Sequence, residues 1–241
     1  MRRAYLLLSL EGMPPQPDES TSKLAGRAVI RAVLFTGFLF GSAGRLDWPR
    51  GWFFLALNAI TLVASIPVLQ RENPRILRTR LQSTRGTKKF DQVIYGILMS
   101  SLLACLGVAG LDVRFHWSSL PFEWTYLGVL LYIAGFIPIG LAASTNPFVE
   151  RTLRIQNERG HVPVTTGPYR VVRHPMYAGI LLMTASWPLL LGSIWCYVPW
   201  AALAVTLLVR TALEDRTLRL ELPGYDEYSK RTRYRLIPEI W

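Results

Sequence analysis

Apolar positions along this chain gather into long blocks that charged residues leave almost untouched. Residues 52–69, 93–111 and 124–143 carry no charged side chain, and residues 28–43 carry only Arg31. A bilayer core about 30 Å thick needs roughly 20 apolar helical residues to cross it, so each block predicts a transmembrane helix. Arg31 lies near the start of its block, where a long cationic side chain snorkels to the interface. Residues 176–191 and 195–212 are shorter and are separated by Gly192 and Ser193. They predict a tight helical hairpin whose last turn carries Arg210. The expected fold is all-α: a polytopic integral membrane helical bundle of about six transmembrane helices.

Composition agrees with that pattern. Of 241 residues, 51% are hydrophobic, which suits a multi-spanning membrane protein better than a soluble domain. The net charge of +11 would point to nucleic acid if the cations were spread evenly. They are not. With six spans, every Lys and Arg except Arg45, Arg50 and Arg114 falls on the face that carries both termini. This is the positive-inside bias. It predicts cytoplasmic termini, contact with anionic membrane lipids and no nucleic-acid partner. Residues 1–10 hold an apolar run too weak for a secretory signal, and no small-residue cleavage site follows. Arginine richness points to a bacterial plasma membrane.

Cys105 is expected mid-span and Cys196 near the outer turn of the hairpin, at depths too different for a disulfide. His116 falls on the outer side, whereas His161 and His174 fall on the inner side. No metal-ligand spacing results, and no metal is expected.

The polar material divides in two. About thirty polar residues from 145 to 175 are too many for a simple connector, and long loops of that kind are often functional. A charged tail follows the hairpin. Residues 166–179 form a basic, proline-punctuated segment that runs straight into an apolar helix. No Gly-x-Gly-x-x-Gly follows a strand and no Walker-type glycine loop is present, so soluble nucleotide-binding architectures have no support.

Gly167, Pro168, Tyr169, Arg173, His174, Pro175 and Tyr177 are followed by Arg210, Glu214 and Asp215, then Gly224, Tyr225, Tyr228, Arg235 and Pro238. In this order and spacing the region from Asn146 to Pro238 resembles the C-terminal half of the isoprenylcysteine carboxyl methyltransferase family, whose wider group includes phospholipid methyltransferases. The resemblance implies S-adenosylmethionine as cofactor, held by membrane helices and cytoplasmic loops. Together with the span and charge pattern it gives three expected parts: a cytoplasmic tail (1–27), four helices with a basic loop at 70–91 (28–144), and a methyltransferase core (145–241), the last implied by the resemblance. Gln156, His161, Val162, Pro163, Val164, Tyr169, His174, Pro175, Met176, Tyr177 and Glu214 would surround the cofactor. Arg210 would bind the acceptor's carboxylate and, with Glu214, make up the catalytic pair. The acceptor would be a lipophilic small molecule or a lipidated chain drawn from the bilayer.

The residue chemistry fits that implication. Arg210 and Glu214 are i,i+4 and share one helix face. Arginine offers a planar fork that matches a carboxylate. Tyr169 and Tyr177 offer aromatic faces to an adenine or a cation. A terminal carboxylate has an ordinary pKa near about 3.5 and needs no base, unlike a thiol or an amine. The other readings are a phospholipid N-methyltransferase, a small-thiol S-methyltransferase and a non-catalytic membrane protein. A transporter fits poorly, since the spans hold almost no mid-depth ionisable residues.

Overall fold

The computed structural model describes residues 21–73 and 88–241. Most of the expected tail at 1–27 and of the basic loop at 70–91 lies outside the described residues. The elements are α1 (Thr21–Ala43), α2 (Pro49–Glu72), α3 (Lys89–Phe115), α4 (Trp124–Thr145), α5 (Pro175–Ala185), α6 (Trp187–Leu191), α7 (Tyr197–Glu221) and α8 (Tyr225–Arg231), with short 3₁₀ turns at Asn157–Arg159 and Gly167–Arg170. Among the described residues there is no strand. Helices α2, α3, α4 and α7 are long and apolar enough to cross a membrane, and Val29–Ala43 and Pro175–Leu191 are shorter apolar stretches. Leu34, Ile60, Leu130 and Val198 are 67%, 65%, 65% and 64% exposed on the bundle's outer wall. An outer wall of such side chains suits hydrocarbon, not water. The protein is a polytopic membrane helical bundle.

Three boundaries differ from the sequence-based expectation, and the first two move functional residues. Helix α3 starts at Lys89 rather than at 93, so Asp91 enters its first turn, where the helix dipole favours an acid. Helix α7 continues to Glu221, well past 212. Arg210, Glu214 and Asp215 therefore sit inside a helix and not at its frayed end. It stops where Leu222 precedes Pro223 and turns extended (φ −103°, ψ 110°). The first arm of the hairpin is two pieces, because the chain turns at Ser186 and restarts with Pro188 in the first turn of α6.

The turn of the hairpin needs a glycine. Gly192 adopts φ +79°, and a Cβ there would strike the Arg50 guanidinium, its Cδ only 3.0 Å away. Arg50 in turn donates to the carbonyls of Leu120 and Pro121, both at 2.9 Å. Helices α4 and α5 touch backbone to backbone, since a Cβ on Gly179 would lie 2.6 Å from the Gly135 carbonyl oxygen. Small residues at such a crossing replace the hydrophobic drive that lipid cannot supply.

The expected difference in cysteine depth does not hold. The two thiols pack against each other's backbone, Cys196 Sγ lying 3.4 Å from the Cys105 carbonyl oxygen, and both remain free and buried. The turn through Ile194–Cys196 that opens the second hairpin arm brings Cys196 to the level of α3's middle.

Candidate active site

Helix α7 presents Leu203, Leu207, Arg210, Glu214 and Leu218 to one cavity of about 820 Å³, which Leu222 just past its end also lines. Spacings of three and four place the five helical side chains on one face. The deep arm of the cavity is apolar, with Leu98 and Leu102 of α3 and Ile180 and Met183 of α5 opposite Leu203 and Leu207. The loop-side arm adds His161, Val162, Pro163, Val164, Tyr169, Tyr225 and Tyr228. Arg210 and Glu214 lie between the two arms along α7, with Tyr177, Met176 and His174 on the facing element.

Arg210 is held along one edge of its guanidinium fork. Its Nε and Nη2 donate to the two oxygens of Asp91, at 2.9 and 3.0 Å, and Nη2 also donates to the Arg151 carbonyl at 2.7 Å. Asp91 is fully buried and takes a further bond from the Leu153 amide at 2.6 Å. One carboxylate thus ties α3, α7 and the 146–174 loop together. The Arg210 guanidinium lies 5.4 Å from the centre of the Tyr177 ring. Tyr177 Oη donates to Glu214 at 2.6 Å. Among the described residues Arg210 Nη1 has no protein acceptor, and that side of the fork is what the cavity receives.

A second carboxylate anchors the tail. Asp215 accepts from Arg173 Nε (2.7 Å) and Nη2 (3.0 Å), from Arg235 Nε (3.1 Å) and from Tyr225 Oη (3.0 Å). Arg173 also caps the Thr232 carbonyl at 2.8 Å. The backbone closes the same joint, with Arg173 N–H donating to Tyr234 O and His174 N–H to Arg235 O, both at 2.9 Å. The tail thereby becomes a wall of the cavity. Tyr228 Oη donates to Tyr169 O at 2.8 Å, and Asn146 Nδ2 donates to the Tyr169 hydroxyl at 3.1 Å. Burial pushes the Tyr169 and Tyr228 hydroxyls up, so both stay protonated. Gly167 (φ +59°) brings this turn against α4, where a Cβ would sit 2.9 Å from Thr145 Oγ1.

The loop carries its own polar network. His161 stacks on Phe148 with ring centres 4.4 Å apart. Its Nδ1 accepts the Gln156 N–H at 3.4 Å, which requires the neutral ring. Burial, and then the cations Arg159 and Arg154, lower its pKa from 6.5 to about 4. The folded pKa lies below the unfolded one, so the unfolded chain binds more protons between these values and stability falls as pH drops through them. Protease resistance of the loop should rise from about pH 4 to 6.5 and then level off. The slope should vanish in His161→Phe; a slope unchanged in that variant would sink the assignment.

Most residues singled out in the sequence meet at this cavity. His161, Val162, Pro163, Val164, Tyr169, His174, Met176, Tyr177, Arg210 and Glu214 all line it. Gln156 and Pro175 stand behind the wall. Gln156 is 1% exposed and spends its amide inside the loop, Nε2 donating to Phe148 O at 2.7 Å and Oε1 accepting from Arg159. Pro175 is the buried first residue of α5. Sequence reading missed Asp91, which looked like the end of a basic loop. Its one signal was an acid at the foot of an uncharged span. Tyr225 and Tyr228 belonged to the motif without a role, and Asp215, whose role the sequence left open, proves to be the anchor of the tail.

The fold is a membrane helical bundle with a cavity that joins a polar loop end to an apolar interior. Residues 148–220 match the model of the isoprenylcysteine carboxyl methyltransferase (ICMT) family. The match is consistent with membership of that family and supports a membrane methyltransferase. The chain is also similar to the cobalt-zinc-cadmium resistance protein CzcN of Cupriavidus metallidurans, with 31% identity over 134 residues, 53% of this chain and 61% of that protein. The chain thus spans about three fifths of that relative's length.

Proposed function

We propose that this protein uses S-adenosylmethionine to methylate the carboxylate of a lipophilic, isoprenylcysteine-like acceptor drawn from the membrane. The observation that carries the reading is the single cavity in which α7 sets Arg210 and Glu214 between a polar arm and an apolar arm. A water-soluble donor and a bilayer-borne acceptor must meet at such a boundary.

The residues present fit the cofactor. Glu214 receives one hydrogen bond, from Tyr177, whereas the arginines nearest to it on the wall are neutralised by Asp91 and Asp215. A carboxylate free of an arginine partner complements a sulfonium or an ammonium. Tyr169, Tyr225 and Tyr228, with Val164, Leu218 and Leu222, offer aromatic and apolar walls for a purine. When bound, the cofactor supplies a methyl group on a sulfonium, an electrophile that asks only for an in-line nucleophile.

The chain's own contribution is alignment and exclusion of water. Arg210, fixed by Asp91 on one side, offers Nη1 to an acceptor oxygen. An acceptor carboxylate is ionised already, so no residue has to take a proton. A phospholipid amine or a thiol would need one removed.

Binding of labelled S-adenosylmethionine to the purified protein tests the cofactor half. Glu214→Gln keeps the side chain's shape and removes its charge, and should weaken binding at least about tenfold, the equivalent of ~1.4 kcal/mol. Arg210→Ala should leave cofactor binding closer to the parent and damage acceptor turnover instead. Equal loss of both functions in both variants would contradict the division of roles. A panel of prenyl-cysteine analogues, lipid amines and thiols, read by product mass, decides the acceptor; methylation of amines alone would overturn the carboxylate reading.

A further inference from the structure

The cavity of the proposed methyltransferase contains a cation that the reaction just described does not use. Arg31, on α1, lines it together with Tyr95 and Met99 of α3. Both Arg31 and Met99 are exposed, so the cavity reaches the bundle surface here, between α1 and α3. Farther along, the two helices close on each other. A Cβ on Gly107 would lie 3.2 Å from the Phe38 ring, and one on Gly110 would lie 2.8 Å from the Ala43 amide. These contacts pair the two helices in parallel and put Arg31, seven residues before Phe38, near the level of Met99. At 1.5 Å per residue this is about 12 Å deeper along α3 than Asp91. Arg31 therefore lies beyond the polar joint, at the apolar arm.

A cation at that depth is costly unless something neutralises it, and a side chain of this kind marks a site by default. Three other cations on the wall are committed: Arg210 to Asp91, Arg173 to Asp215, and Arg154 to Glu150 and Glu158. Among the described residues Arg31 forms no ion pair. Arg151, which holds Arg210 through its carbonyl oxygen, likewise has no ion pair there. With Glu214 assigned to the cofactor, the described part of the wall keeps two positive charges without an ion pair among the described residues, Arg31 at the side opening and Arg151 beside the Asp91–Arg210 pair.

We infer that Arg31 selects the acceptor at this side opening by the negative charge of its head group. Because Asp91 neutralises Arg210, the pair gives direction to an acceptor oxygen without net attraction. Arg31 supplies the attraction at the opening, and Arg151 continues it toward the reacting end. Neutral lipids, far more abundant in any bilayer, gain nothing from Arg31 on entering, so the device discriminates by charge. Naming the guest an acceptor rests on the methyltransferase reading; the charge selection itself does not.

The test separates the two. Protein in zwitterionic nanodiscs is titrated with a pyrene-labelled C16 fatty acid and with its primary amide, without cofactor. Arg31→Gln should weaken the acid about tenfold and leave the amide within about twofold; Arg31→Lys should retain most of the preference. Loss of both probes to the same extent, or of neither, would overturn the inference and leave Arg31 a membrane-interface anchor. In turnover, Arg31→Gln should raise KM for an anionic acceptor with kcat kept. Selective binding of the acid with no methyl transfer to any acceptor would overturn the methyltransferase reading alone.

Discussion

Asp91→Ala is expected to be among the most damaging single substitutions in the chain. It strips the counter-charge from Arg210, which is 6% exposed, and removes the acceptor for the Leu153 amide. Breaking a buried pair from one side costs about 3–5 kcal/mol, because the remaining charge stays desolvated. Loss of folded protein in detergent, read by size-exclusion yield and thermal inactivation, should follow. Asp91→Asn keeps an oxygen for Leu153 and should fold, yet acceptor turnover should drop because the fork on Arg210 is no longer held on both nitrogens. The double variant Asp91→Ala/Arg210→Ala should be more stable than Asp91→Ala alone. If removing Arg210 as well gives no recovery, the stranded charge is not what destabilises the single variant.

Asp215→Ala should be nearly as severe, for a different reason. This carboxylate is 1% exposed and gathers Arg173, Arg235 and Tyr225 on two oxygens. Without it the side chain of Arg173, 2% exposed, is left buried with only backbone carbonyls for company, again a cost of about 3–5 kcal/mol. The tail should come away first, since α8 and the segment after it join the loop mainly through this cluster and the Tyr228–Tyr169 bond. Limited proteolysis should therefore cut between residues 222 and 241 before it cuts elsewhere, and cofactor binding should fall in parallel. Arg173→Met/Asp215→Leu, which replaces the pair by apolar groups of similar size, should recover much of the stability. A tail that stays protected in Asp215→Ala would place the anchor elsewhere.

Both carboxylates show where sequence reading stops. Asp91 and Arg210 are separated by 119 positions, and nothing local in either segment announces the other. Asp215 follows Glu214 directly, so the two look interchangeable on paper. One step along a helix turns a side chain by about 100°, and that rotation sends Glu214 toward the cavity and Asp215 behind it, into the tail. The hairpin's second arm was underestimated for a related reason. Hydropathy marks where a helix leaves the apolar zone, not where its backbone stops being helical, and α7 runs on through its polar end to Glu221. The cysteines were misjudged because depth was counted from uniform helices, whereas the second arm enters α7 through a short turn.

By itself the sequence determined the membrane class, because long uncharged runs have no stable place but hydrocarbon. It also determined which region carries the candidate site, because a proline-punctuated basic segment before an apolar helix, with Arg210 and Glu214 four residues apart, is a local pattern that survives in one dimension. Only the tertiary structure decided the partners. It gave Arg210 to Asp91, folded Gln156 back into its own loop, made Asp215 the anchor of the tail and brought Arg31 to the mouth of the cavity. Each of these depends on which faces of distant helices meet. A buried charge must be neutralised across that meeting, and no periodicity within a single segment records where the neutralising group comes from.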